Sequence, residues 1–100
     1  MASGFPDYQS RAFTSADNFE QQKISATAAE SANSFTQEVK AVLIYNDGVN
    51  AVYLNFDDTA TTNLMKLPSK AWLMIDLKFT DVHVICAAGE IATLYCIGTY

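Results

Sequence analysis

Cations are scarce in this chain. Six Lys and Arg stand against eleven Asp and Glu, for a net charge of −5. Binding to phosphate needs clustered Lys and Arg, so nucleic acid is not an expected partner. The same balance argues against an anionic membrane surface. No stretch approaches the roughly 20 apolar residues of a membrane-spanning helix. Met1-Ala-Ser-Gly offers neither a basic start nor a following apolar region, so no secretory signal is expected. One His and two Cys fall short of the roughly four closely spaced ligands of a zinc site. No G-x-G-x-x-G or G-x-x-x-x-G-K-[ST] occurs, which removes the familiar phosphate-cradling loops.

What remains is apolar. Half of the 100 residues are hydrophobic and 12% are aromatic, enough for one domain with a small core. The composition shifts near Gln37, which sets an expected boundary between an N-terminal arm, 1–37, and a folded domain, 38–100. The arm is rich in Ser, Ala, Thr, Asn and Gln. Its large apolar residues are isolated: Phe5, Tyr8, Phe13, Phe19, Ile24 and Phe35. Their spacing matches neither the helical period nor strict alternation. A short helix around 15–23, capped by Ser15 or Asp17, is one expectation; an extended segment is the other. Such a segment cannot offset its ordering entropy alone, but it can dock aromatic anchors onto neighbouring chains. Fully extended, it reaches on the order of 120 Å.

From Glu38 onward the pattern is strand after strand. The runs 39–45, 51–56, 64–67, 71–77, 82–87 and 91–99 are rich in β-branched and aromatic residues. Asn46-Asp47-Gly48 predicts a tight hairpin between the first two, because these residues accept positive φ. Gly89-Glu90 predicts a second hairpin between the last two. Pro68 cannot donate to a ladder and stops the third strand. The expected fold is therefore all-β: a small antiparallel β-sandwich or barrel of about six strands with an extended or partly helical N-terminal arm. Along 39–45, Val39, Ala41, Leu43 and Tyr45 share one face, while Val42 and Ile44 take the other. A free-standing sheet has no use for the second apolar face, so the arm or a neighbouring subunit should cover it.

Candidate chemistry is thin. A two-residue turn at Gly89-Glu90 would set His83 opposite Cys96, a pairing that suggests a thiol nucleophile. No helix N-terminus or cationic cluster is in view to lower the thiol pKa, so neighbours on a sheet face are the better expectation. Cys86 and Cys96 read as buried free thiols, and a disulfide is not expected. The run 57–63 offers oxygens from Asp57, Asp58 and several Thr, but it lacks the ordered ligand spacing of a calcium loop and reads as a solvated turn. Asp76, Asp81 and Glu90 are unpaired in sequence for acid–base work. No catalytic residue, cofactor or metal site is expected, and the chain does not read as an enzyme. Trp72, with Tyr45, Tyr53, Tyr95 and Tyr100, suggests either a second covered face or a sugar platform.

Three stretches carry a resemblance: the opening Val-Lys-Ala-Val-Leu-Ile-Tyr-Asn-Asp-Gly and Ala-Val-Tyr-Leu-Asn-Phe; Thr59-Ala-Thr-Thr-Asn63; and the closing Val-His-Val-Ile-Cys-Ala-Ala-Gly-Glu-Ile-Ala-Thr-Leu-Tyr-Cys-Ile-Gly98. Over roughly 38–99 the chain resembles small β-sandwich virion proteins of tailed bacteriophages, which decorate or cement capsids or sit at the neck. The resemblance rests on turns and strands and brings no active site. It implies a non-enzymatic capsid decoration or cement protein located in the virion and made in the host bacterial cytoplasm. Its partners would be the major capsid protein or other virion proteins, with homo-oligomers expected. Phe5, Tyr8, Phe13, Phe19 and Phe35 would be the arm anchors, and Trp72 and Tyr100 further surface contacts. A neck, connector or tail accessory role, or a carbohydrate- or receptor-binding module, is the alternative.

Overall fold

The computed structural model describes residues 18–100. Six strands follow in order: β1 (Phe19–Ala26), β2 (Ser31–Asn46), β3 (Val52–Phe56), β4 (Met65–Leu67), β5 (Trp72–Ile85) and β6 (Ala92–Thr99). They form one antiparallel sheet in the order β1-β6-β2-β5-β3-β4, which is not closed into a barrel.

The long strands β2 and β5 form its spine. They pair in two stretches, Ser31 to Ser34 against Val84 to Asp81 and Ala41 to Tyr45 against Asp76 to Trp72, with irregular register around Val39. Extra residues on one side of a ladder bend the strand and twist it. Beyond this bend the neighbours differ: β6 pairs only with 41–46 of β2, and β3 only with 82–85 of β5. The sheet thus has two wings. One holds β1, β6, the second half of β2 and the first half of β5. The other holds the first half of β2, the second half of β5, β3 and β4. Ile24, Val42, Ile44 and Leu94 from one wing share a buried cluster with Val52, Leu54, Leu67, Val82 and Val84 from the other.

Aromatic rings fill the bend. Phe79 meets Phe35 edge-on at 5.9 Å and Phe56 at 4.6 Å between centroids. Gly98 lies beneath them. A Cβ there would come within 2.9 Å of the Phe35 ring and 2.8 Å of Val39 Cγ1, so the position has no room for a side chain.

The wings meet again along β1. Its even-numbered residues turn inward, with Ile24 and Ala26 in the core. Glu20 and Gln22 instead reach across to β2. Gln22 Nε2 donates to the Ser34 carbonyl at 2.6 Å, and the Thr36 N–H and hydroxyl donate to Glu20 Oε1 at 3.0 and 2.8 Å. Side chains here satisfy backbone groups in the stretch where the β2–β5 register breaks.

Several expectations are corrected. Six strands form, but not the expected six. Residues 19–26 are a strand, not part of a helix, and the boundary expected after Gln37 runs through the middle of β2. The runs 71–77 and 82–87 are one continuous strand. Its irregular register interrupts the alternation, so Leu73 and Ile75 pack on the core while Leu77 is exposed. Neither expected hairpin forms, because β5 lies between β2 and β3, and β2 lies between β5 and β6. The turn residues reverse the chain but carry it across to the other wing. Gly89 does take a positive φ, of 78°. Gly48 does not; it is needed because a Cβ would lie 2.8 Å from Ala92 Cα.

Asn46 holds the 46–50 turn. It is fully buried, its Nδ2 donating to the carbonyls of Asn50, Leu67 and Pro68 at 2.9, 3.1 and 3.2 Å and its Oδ1 accepting from Gly48 N–H at 2.9 Å. Asn46→Ala leaves buried backbone groups unpaired and should cost about 2–4 kcal/mol in urea unfolding. Asn46→Asp should fare no better, since a carboxylate cannot donate to carbonyls.

The seam predicts a pH dependence. The Thr36 N–H, then the Thr36 hydroxyl and the Gln22 amide, hold the Glu20 carboxyl below its ordinary value of 4.5. A depressed native pKa gives stability that is complete above the unfolded value and lost as pH falls through the native one. The urea midpoint should therefore fall as pH drops below 4.5. Glu20→Gln should flatten that limb without abolishing it, because Glu30 and Asp57 are also held low by backbone N–H groups.

Candidate functional site

Alternation along the β1-β6-β2-β5 wing gives it an outward face, and the register assembles that face in rows. Lys23, Tyr95, Tyr45 and Trp72 stand opposite one another on successive strands. Gln21, Ile97 and Leu43 form the next row, and Phe19, Thr99 and Ala41 the one after. On a water-facing sheet these sites are usually polar. Here Trp72 is 61% exposed, Phe19 59% and Tyr95 45%. A shallow groove of about 420 Å³ runs between the first two rows, lined by Gln21, Lys23, Leu43, Tyr45, Tyr95 and Ile97.

Lys23 is the charged residue of this lining. Its Nζ lies 5.9 Å from the Tyr95 ring centroid, a weak cation–π contact at an exposed site. At the far rim Lys70 Nζ pairs with Asp47 Oδ1 at 3.1 Å. The Thr99 hydroxyl is buried and has no hydrogen-bond partner among the described residues.

The residues expected at a site scatter. Phe5, Tyr8 and Phe13 lie outside the described residues. Phe19 and Trp72 are on the outward face. Phe35, expected as an anchor for a neighbour, is 3% exposed and fills this chain's own bend, because the register shift turns it inward. Tyr100 is half-buried against the core, and its backbone exchanges two hydrogen bonds with Asn18, at 2.9 and 3.0 Å. Lys23, Gln21, Leu43 and Ile97 went unmarked as site residues. The one sequence signal for them was that both faces of 39–45 are apolar; Val42 and Ile44, expected as the surplus face, are in the core, and Leu43 and Tyr45 are the outward members.

The polar clusters elsewhere serve the fold. His83 does not face Cys96, since β5 and β6 are not neighbours. Its Nδ1 lies 2.7 Å from Glu30 Oε2, which also accepts the Ala60 N–H at 2.9 Å and so fastens the 57–63 loop. Cys96 stands opposite Gln22 and Ile44, and burial pushes its thiol up to about 12. Burial and then Glu90 raise Cys86 as well. Both cysteines are free and buried, and thiols raised in this way stay protonated at neutral pH. Asp57, at φ 58°, accepts the N–H groups of Thr80 and Asp81 at 2.9 and 2.8 Å, and Asp58 accepts that of Thr59 at 2.8 Å. Among the described residues no three His, Cys, Asp or Glu side chains gather to hold a metal ion.

No protein-family model matches the sequence, and no curated protein is found that matches it. The outward face is the feature for which the fold has no use. Trp72→Ser combined with Tyr95→Ser should change unfolding stability by less than about 1 kcal/mol, because both are surface sites. The same variant should bind less of a dye that reports exposed apolar surface. A loss of stability well beyond that figure would show that the two rings are part of the core.

Proposed function

We propose that this chain is a non-enzymatic structural subunit of a bacteriophage virion, a capsid decoration or cement protein of β-sandwich type. It seats its outward face on neighbouring virion proteins and adds the aromatic residues of its N-terminal segment as further anchors. The observation that carries this reading is the apolar outward face on which Tyr95, Trp72 and Phe19 are exposed, with half-buried Tyr45 in the same row as Tyr95 and Trp72. Large exposed apolar patches mark interaction surfaces. The net charge of −5 turns the protein away from DNA and towards protein partners. The resemblance of its turn and strand stretches to those of phage virion proteins gives the reading its setting.

A second reading has a specific observation of its own. Three aromatic rings in one row, beside Lys23 and the Asp47–Lys70 pair, suit a saccharide, whose C–H faces stack on rings while its hydroxyls meet polar neighbours. Trp72→Ala separates the two readings. A particle that assembles with this variant but no longer adsorbs to cells favours the sugar site.

Position and copy number test the main proposal. Hundreds of copies on the shell are expected for decoration, whereas a dozen or fewer would move the protein to the neck or tail. Deleting residues 1–17 should strip the protein from particles while the far-ultraviolet signature of the sheet survives. Undiminished incorporation of that truncation would remove the anchoring role. A longer deletion would not be informative, because it takes β1 from the sheet.

A further inference from the structure

The fold requires glycine at position 48, and that glycine follows an aspartate. A Cβ on residue 48 would lie 2.8 Å from Ala92 Cα and 2.9 Å from Ala92 Cβ, so no larger residue fits. The pair Asp47-Gly48 is for the same reason chemically vulnerable. Glycine puts no side chain between its own nitrogen and the preceding carboxyl group, which leaves room for cyclisation. In that reaction the Gly48 nitrogen attacks Asp47 Cγ. The amide proton, a second proton and one carboxyl oxygen leave as water, and a succinimide ring closes. Water then adds back. Opening at Cγ restores aspartate; opening at the main-chain carbonyl carbon leaves the chain running through the side chain, as isoaspartate. The water released is the water consumed, and no oxidant or cofactor takes part.

In the folded turn every backbone polar group of the pair is engaged. The Asp47 N–H donates to the Thr93 carbonyl at 2.9 Å, and Lys70 Nζ donates to the Asp47 carbonyl at 2.7 Å. The Gly48 N–H donates to Asn46 Oδ1 at 2.9 Å, and Ser69 Oγ donates to the Gly48 carbonyl at 2.6 Å. The attacking nitrogen is thus held by a buried amide. The Lys70 ammonium also lies 3.1 Å from Asp47 Oδ1. One cation therefore gathers the carboxylate on the carbonyl-oxygen side of the peptide unit, away from the nitrogen on its other side.

We propose that Asp47-Gly48 is a latent modification site. Isomerisation to isoaspartate is held back while the 46–50 turn is closed, proceeds when the turn opens, and prevents the turn from closing again. The last step follows from packing. Isoaspartate adds one carbon to the main chain between residues 47 and 48, where Gly48 already abuts Ala92. The bonds from Asn46, Ser69, Lys70 and Thr93 cannot then all re-form. Asn46 has two roles on this account: it satisfies buried carbonyls, and it keeps a nitrogen out of reaction. Asp47 and Lys70 stand at the rim of the outward face, so an isomerised chain loses that rim. The inference does not depend on the virion reading.

Timed warming of the full chain at neutral pH tests it, with and without urea. Isoaspartate is read by methyl transfer from S-adenosylmethionine with an isoaspartyl methyltransferase, and fragmentation mass spectrometry assigns it to residue 47. The unfolded chain should accumulate it at least about tenfold faster than the folded chain, the factor expected if cyclisation must first break two hydrogen bonds. Lys70→Ala is a surface change that should keep the fold and raise the folded-state rate about three- to tenfold. Asp47→Glu should stay at background, because its larger ring closes far more slowly. Isomerised chain, separated by chromatography, should refold with a lower urea midpoint than its unmodified counterpart. Equal rates in the folded and unfolded chains would overturn the proposal, as would an unshifted midpoint for the isomerised one.

Discussion

The structure depends on the bend in the β2–β5 spine. Two long antiparallel strands would make a flat ladder with an apolar surface on each side. The irregular register around Val39 breaks that ladder, and the rings of Phe35, Phe79 and Phe56 occupy the inside of the break. The bend needs close approach as well as ring volume. Gly98 supplies it by leaving the space that Phe35 and Val39 enter. Once the spine is bent, β6 and β3 pair with different halves of it, and the two inner faces bury one another.

A bent, open sheet leaves backbone groups that no strand can satisfy, and two polar devices meet that need. Glu20 and Gln22 reach from β1 to the irregular stretch of β2. Asn46 does the same at the other end, where three carbonyls and one N–H converge on a single buried amide. Their energies differ in kind. The Glu20 contacts are open to solvent and depend on ionisation. Those of Asn46 are shut away from water, so losing them leaves buried groups unpaired. The first device adjusts how firmly β1 is held; the second is required for the turn to exist.

Strand content was legible from residue 38 onward because β-branched and aromatic runs stand out against polar loops. Partnership was not. Asn46-Asp47-Gly48 and Gly89-Glu90 both mark true reversals, but local turn chemistry cannot state whether a chain returns beside itself or crosses to another wing. Here Gly48 answers to the approach of Ala92 and not to a positive φ. β1 escaped notice because only Ile24 and Ala26 of its inward residues are apolar, the others being the polar Glu20 and Gln22. Phe35 was misplaced for a related reason: an isolated aromatic in a polar stretch looks like an anchor until a bend far along the chain gives it a cavity to fill. The candidate site was half legible. That both faces of 39–45 are apolar announced it, although the surplus falls on Leu43 and Tyr45 and not on Val42 and Ile44 as expected, while Lys23, Gln21 and Ile97 joined it only through the register of β6 between β1 and β2.

Magnitudes decide what kind of binding the outward face can support. Covering a large apolar side chain contributes about 1.5–3 kcal/mol. Phe19, Trp72 and Tyr95 are already about half covered, so together they offer about 2–5 kcal/mol before losses. Association costs at least about 4 kcal/mol in lost freedom, and more once side chains are ordered. One face alone therefore makes a weak contact. Adding a tethered aromatic segment changes the balance, because its binding follows at high effective concentration without a second full loss of freedom. A lattice of repeated sites acts in the same way, since neighbours already in place share that cost. A chain with this face and this segment is suited to contacts made many times over on a repeating surface, more than to a tight complex of two.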